Sequence, residues 1–256
     1  MDLFDQVLRR HPPPWGDVLD AGTGASSWDW LLKQPCRSRT GVTAESARAR
    51  ALRSRPGTGP QDEVIEGLWQ QPGLLEGRRF DVILADYLLG ACDRYAPHFQ
   101  EEMIEKIVSK CSGWLFLIGL EPPPPPASPG QICLFEVAQL RDAVQLLLGH
   151  RPHRELPQAW VERHLEASGA RIAWKERYHN LYDADWVARE VASLEQNLQL
   201  FEDRGLAQVL RRRCHGLRQR ASQHLNKAIS YSFDYLLGVD CTTIVERPAA
   251  TDRPQH

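Results

Sequence analysis

The chain has 256 residues, enough for one large core or a core with an appendage, since domains commonly run about 100 to 200 residues. Lys and Arg total 31 against 33 Asp and Glu, a formal charge of −2, which argues against a dedicated nucleic-acid binder with its strongly basic balance. Residues 1–10 hold no apolar run for a secretory core or a membrane span, so a cytoplasmic location is expected. The six cysteines, Cys36, Cys92, Cys111, Cys133, Cys214 and Cys241, lack any metal-ligand spacing and read as free or buried thiols.

In chain order, a helix is expected over 2–10, stopped by Pro12-Pro13-Pro14, which offer no amide donors. Short apolar runs over 17–19, 40–43, 63–65, 80–85 and 114–120 alternate with helical stretches, the rhythm of a parallel sheet with crossover helices. The runs at 80–85 and 114–118 are nearly continuous in apolar residues, as central strands covered on both faces should be. Between them, 99–111 reads as a helix carrying Met103, Ile104, Ile107 and Val108 on one face. The prolines of 122–126 form a stiff spacer or lid edge.

Helices are expected over 137–148 and 158–167, joined by 149–157, followed by a strand over 171–178. Asp183 is a candidate N-cap for a long helix with an apolar stripe of Val187, Val191, Leu194, Leu198 and Phe201. Gly205 is expected to break it before a second stripe of Leu210, Cys214, Leu217, Ala221, Leu225 and Ala228. Such a helical pair packs internally, forms a lid, or makes a homodimer contact. A last strand is expected over 241–246 and a disordered tail over 248–256.

The chemistry concentrates in Val18-Leu19-Asp20-Ala21-Gly22-Thr23-Gly24. A strand with an acid at its tip, then Gly-x-Gly before a helix, is a nucleotide-type cradle in which glycine admits the ligand or a positive φ. Dinucleotide sites commonly place glycine directly after the strand and a third glycine later. Here Asp20 comes first and Ser26 takes the third place, which argues against a nicotinamide cofactor.

With these residues the chain resembles the Rossmann-like (class I) S-adenosylmethionine-dependent methyltransferases. The likeness extends through 81–86 and 114–121, where the family's fourth and fifth strands fall, and covers roughly the first half of the chain. It implies an α/β fold: a mostly parallel seven-stranded sheet, helices on both faces, and a helical insertion before the last strand. The implied organisation is a cofactor-binding core over 1–182, the insertion over 183–230 and the returning chain over 231–247.

The resemblance also implies S-adenosyl-L-methionine as cofactor. Asp20, Ala21, Gly22, Thr23 and Gly24 would line its methionine end, with Asp20 reaching the amino group directly or through water. Thr43 stands where the family usually has a ribose-binding acid; beside it are Ala44 and Glu45, the latter either a ribose ligand or an ordinary acid at a helix start. Gly67, Leu68 and Trp69 replace the family's adenine-side aspartate, Trp69 either stacking on adenine or filling the core.

Asp86 and Tyr87 end the fourth strand, where ligands of open α/β sheets bind. Asp86 would touch cofactor or acceptor, or act as a cap. If 171–178 is a parallel strand, the 149–157 loop reaches the active-site rim. His150, Arg151, His153, His179, Tyr182 and Tyr231 then become acceptor-site candidates, with His150, His153 and His179 as candidate bases. Arg211, Arg212, Arg213, Arg218 and Arg220 form either a phosphate-binding patch or, as their spread around the helix favours, a solvated face. The expected activity is in-line methyl transfer to a small-molecule acceptor. No nucleic acid and no membrane are expected as partners. The alternatives are an RNA or protein methyltransferase, or an inactive cofactor-binding partner subunit.

Overall fold

The computed structural model describes residues 3–242. Seven strands, β1 (Trp15–Asp20), β2 (Cys36–Thr43), β3 (Asp62–Glu66), β4 (Phe80–Asp86), β5 (Cys111–Leu120), β6 (Arg171–Tyr182) and β7 (Ile229–Asp240), form one sheet in the order β3-β2-β1-β4-β5-β7-β6. β7 runs antiparallel to both neighbours, so β6 points the same way as β1 to β5. The mostly parallel α/β sheet is therefore the architecture expected. All carboxyl ends but that of β7 open on one edge, where loops can gather a ligand.

The apolar residues of the central strands point to two faces. One face packs against α4 (Leu88–Cys92), α5 (Gln100–Ser109) and α7 (Gln158–Ala167), burying Ile83, Leu115, Leu117, Ile104, Ile107 and Leu165. The other packs Val82, Leu84, Phe116 and Ile118 against Val7 of α1 (Leu3–Arg10) and Leu31 of α2 (Ala25–Leu31). The second strand crosses into α3 (Ser46–Arg53), which buries Ala49 and Leu52 against Trp28 and Val64. Each such Leu or Ile removed from water contributes about 1.5–3 kcal/mol.

The last strand corrects the expectation. The Thr-Thr-Ile-Val run predicted a strand over 241–246, but β7 occupies Ile229–Asp240; residues 243–246 and the expected tail lie outside the described residues. The β7 sequence, with Ile229, Tyr231, Phe233 and Tyr235 alternating with smaller or polar residues, itself has strand propensity, and pairing on both sides reinforces it. Tyr235 faces Gly119 of β5 and Gly238 faces Trp174 of β6. A Cβ on either glycine would lie within 2.3 Å of the opposing ring. Those two glycines admit the rings and so fix the register.

The insertion also differs in detail. Asp183 caps α8 (Ala184–Asn197), accepting the Trp186 amide at 2.8 Å. The chain then makes a single 3-10 turn and breaks at residues 201–203, and Asp203 caps α9 (Arg204–His224). Gly205 is thus inside the first turn of α9 and is no breaker, and Ala228 is exposed beyond its end. Both apolar stripes pack within the chain, against each other and against α6 (Pro129–Leu147), in a second core that includes Val144, Val191, Leu194, Leu198, Cys214 and Leu217. Arg213 and Arg220 pair with Glu136, Arg218 with Glu195, and Arg211 donates to the Leu198 carbonyl. Intramolecular partners thus occupy most of the arginine cluster. No helix among the described residues is long and apolar enough to cross a membrane.

Candidate functional site

β1 delivers Asp20 to the carboxyl edge between β2 and β4. Asp20 is fully buried, and neither carboxylate oxygen has a hydrogen-bond partner among the described residues. Burial pushes it up to about 6, while the Thr23 and Ser27 hydroxyls and the Gly22 amide lie near enough to oppose part of the rise. The Thr23 hydroxyl is likewise buried and unpartnered. Buried polar groups left unpaired are costly. Asp20 and Thr23 therefore present buried oxygens with unused hydrogen-bonding capacity.

Neither Gly22 nor Gly24 has a positive φ; a Cβ on Gly22 would lie 2.8 Å from Leu88 Cδ1, so glycine there leaves room for the Leu88 side chain of α4. Gly24 is the extended N-cap of α2.

A cleft opens above this loop, lined by Ala21, Gly22, Thr23, Thr43, Ala44, Gly67, Leu68, Trp69 and Asp86. Nine of the twelve cofactor residues that the resemblance implies line this cleft; Asp20, Gly24 and Glu45 do not. Asp20 lies beneath the lining. Glu45 caps α3 at the rim, where its carboxylate accepts the Tyr95 hydroxyl at 2.7 Å and pairs with Arg48 at 3.2 Å. Trp69 is 5% exposed and spends its indole N–H on the Ala21 carbonyl at 2.7 Å, while Lys106 holds the Trp69 carbonyl at 2.7 Å. It is a core side chain with one edge on the cleft. Sequence reasoning missed Arg48, Leu88, Ala91, Cys92, Tyr95 and Met103, which also line the cleft. Most of them sit in or just after α4, the first element beyond Asp86, and the strand-end rule could have found them.

On the other side of Asp86, Tyr87 adopts a left-handed backbone, φ 47° and ψ 23°, as N-cap of α4. Such a conformation in a bulky residue is unusual and clusters at functional sites. Burial raises its phenol, and the neighbouring Asp234 adds to the rise through charge and a hydrogen bond. Asp234 is itself raised by burial, against hydrogen bonds from Asn180 and Tyr87. Glu155 lies so close that a Cβ on Gly90 would be 2.4 Å from its Oε2. Burial, with Asp234 adding, pushes Glu155 up to about 7, opposed by Arg141 and the Leu120 backbone. Tyr182 and Ser232 share a hydrogen bond at 2.6 Å nearby on β6 and β7. Neither Glu155 nor Asp234 was singled out in the sequence.

The three candidate histidines do not join this group. His150 and His153 line a separate recess with Arg151 and Arg154. His179 is exposed on the edge strand β6, its Nδ1 3.2 Å from the Ser230 hydroxyl and its ring edge-on to Phe233. Tyr231 donates to the Pro124 carbonyl at 2.9 Å, pinning the proline stretch. No cluster of three or more metal-ligating side chains occurs among the described residues.

No family model matches the sequence, and no curated protein matches it either. Solved structures do. A candidate methyltransferase from Bacillus halodurans C-125 superposes with a TM-score of 0.62 at 13% identity, over 94% of this chain and 99% of the other. A cyclopropane-fatty-acyl-phospholipid synthase-like protein from Lactobacillus casei gives 0.61 at 12% identity, over 92% and 88%. A mycolic acid cyclopropane synthase solved with SAH and CTAB gives 0.51 at 14%, over 89% and 78%. The chain has the fold of the S-adenosylmethionine-dependent class I methyltransferases.

Proposed function

We propose that this chain is an S-adenosylmethionine-dependent methyltransferase acting on a small-molecule acceptor by in-line transfer. The observation that carries the reading is the fully buried, unpartnered Asp20 carboxylate beneath Gly22 at the carboxyl end of β1. An ammonium group beside it would satisfy both oxygens and restore its ordinary ionisation. On this reading a ribose would lie against Thr43 and Ala44 and an adenine against Gly67, Leu68 and Trp69, all of which line the cleft.

When bound, the cofactor supplies a methyl group on a sulfonium, which a nucleophile displaces. The chain's own residues then have to align the acceptor and exclude water. Asp86 faces the cleft, and Tyr87 turns away from it toward Asp234 and Glu155, so the β4 end separates a cofactor side from an acceptor side. Glu155, pushed up to about 7, is suited to take a proton from an acceptor that needs a base. Helix α6 follows the carboxyl end of β5, α8 follows that of β6, and α9 leads into β7, so all three rise from this edge as a cover.

Calorimetry with S-adenosylhomocysteine tests the cofactor half of the proposal. The wild type is expected to bind, and Asp20→Ala and Gly22→Val to bind far more weakly. Absence of heat at high micromolar ligand on the wild type would sink the reading. Incubation with methyl-labelled cofactor and size-fractionated cell extract tests the acceptor half. Label is expected in the small-molecule fraction; label in polymer would replace it with an RNA or protein acceptor.

A further inference from the structure

We propose that the recess lined by His150, Arg151, His153 and Arg154 binds the acid group of the acceptor, a carboxylate or a phosphate. Its role in methyl transfer rests on the function proposed above; its affinity for an anion does not. The recess encloses about 550 Å³, within the range of roughly 300–1,000 Å³ typical of small-molecule sites.

The lining holds two acids, Asp93 and Asp142, against two arginines, Arg151 and Arg154, but both acids are already engaged. Asp93 is already occupied, receiving Gln100 Nε2 at 3.3 Å and the His98 amide at 3.4 Å, with Arg154 Nε at 3.7 Å. Asp142 has Arg141 at 3.5 Å. Arg151 has no ionic or hydrogen-bond partner among the described residues. Beyond the lining, Arg94 and Arg141 add positive field at His153. An exposed guanidinium beside imidazoles in a concave surface is the donor set that planar oxyanions take up, often with two parallel hydrogen bonds.

Position ties the recess to the cleft. The Arg154 amide donates to the Gly90 carbonyl of α4 at 3.0 Å, and the same short helix presents Leu88, Ala91 and Cys92 to the cofactor cleft. Five helical residues span about 8 Å, the scale of a small metabolite. The residue after Arg154 is Glu155, which sits on Gly90 beside Asp234 and Tyr87. A molecule with its acid group in the recess would therefore direct its remaining end along Glu155 toward the end of β4. The concave shape and the small number of cations suit one anionic group rather than a polyanion.

The full chain is titrated calorimetrically with inorganic phosphate and, separately, with malonate, each against sodium chloride at equal ionic strength, and with S-adenosylhomocysteine in the same preparation. Saturable binding of one probe, weakened about tenfold or more by Arg151→Gln, an equilibrium change of about 1.4 kcal/mol, is the expected result. Arg151→Gln is expected to leave the thermal unfolding midpoint and the S-adenosylhomocysteine affinity as in the wild type. The probe that binds more tightly identifies phosphate or carboxylate. The proposal is overturned if neither probe saturates, if chloride competes as well as either, or if Arg151→Gln binds like the wild type. Loss of S-adenosylhomocysteine binding with probe binding intact would remove the cofactor reading and leave the anion site standing.

Discussion

At the scale of single residues, Asp20 would couple stability to the proposed function. Its pKa in the fold, about 6, lies above the ordinary value of 3.8, so the folded chain holds this proton more tightly than the unfolded one. The associated stability is full below about pH 4 and is lost as pH rises through about 6. Glu155, raised from 4.5 to about 7, adds a loss of the same sign in an overlapping window. Asp20→Asn should therefore stabilise the protein at neutral pH, by at most about 3 kcal/mol at about 1.4 kcal/mol per unit. Near pH 4 it should have little effect. Urea unfolding at the two pH values checks this, and the same variant should lose S-adenosylhomocysteine binding. Equal stability of variant and wild type at both pH values would mean that the carboxylate is solvated or paired.

A second residue-scale prediction concerns the cleft mouth. The space within the cleft is about 90 Å³, well below the roughly 300 Å³ of an ordinary small-molecule pocket. The Tyr95 hydroxyl on Glu45 closes one side of it. Tyr95→Phe removes a partly exposed hydrogen bond worth about 1 kcal/mol. S-adenosylhomocysteine should then associate about fivefold faster, about 1 kcal/mol at about 1.4 kcal/mol per tenfold, read in stopped flow from the change in total tryptophan emission. An unchanged association rate would show that the contact does not gate the cleft.

At the scale of elements, two helical glycines of opposite meaning can be told apart. Gly216 lies inside α9 with nothing within 4 Å of where a Cβ would be. Gly216→Ala should gain about 1 kcal/mol from helix propensity alone. Gly90, inside α4, holds Glu155 against its α-carbon. Gly90→Ala should show no such gain, because the methyl must displace the carboxylate. Chemical unfolding of the two variants side by side measures the contrast. The elements also divide by how far their signals were local. β1 and its loop were legible because strand, acid and glycines follow one another within seven residues. The stripe from Val187 to Phe201 was legible because its spacing matches the burial it meets. β7 was misplaced although its signal was local: Ile-Ser-Tyr-Ser-Phe-Asp alternates apolar and polar residues at the period of a strand, and the later Thr-Thr-Ile-Val run was read in its stead. Asp234 reaches the site only through tertiary contacts, which no window of sequence contains, whereas Tyr95 and Glu155 lie in segments that the topology already brought to this edge.

At the scale of the whole molecule, the chain holds two principal cores, one around the sheet and one among α6, α8 and α9, joined where Tyr182, Ile229 and Tyr231 pack beneath the helices. The residues proposed to hold the cofactor lie beside the first core, and the proposed cover is built from the second. Leu217 is fully buried in the helical core and Ile107 nearly so in the sheet core. Leu217→Ala and Ile107→Ala should each cost about 2–5 kcal/mol where they pack, with different reach. Because α6, α8 and α9 attach to the sheet through few residues, Leu217→Ala is expected to speed amide hydrogen exchange across those helices and leave β1 and β4 protected. S-adenosylhomocysteine affinity should then stay near that of the wild type, while methyl transfer to the acceptor falls as the cover loosens. Ile107→Ala, by contrast, should raise exchange throughout and weaken cofactor binding. If Leu217→Ala instead deprotects the sheet to the same degree, the two cores unfold as one unit, and the helices are as much a part of the cofactor site as β1 itself.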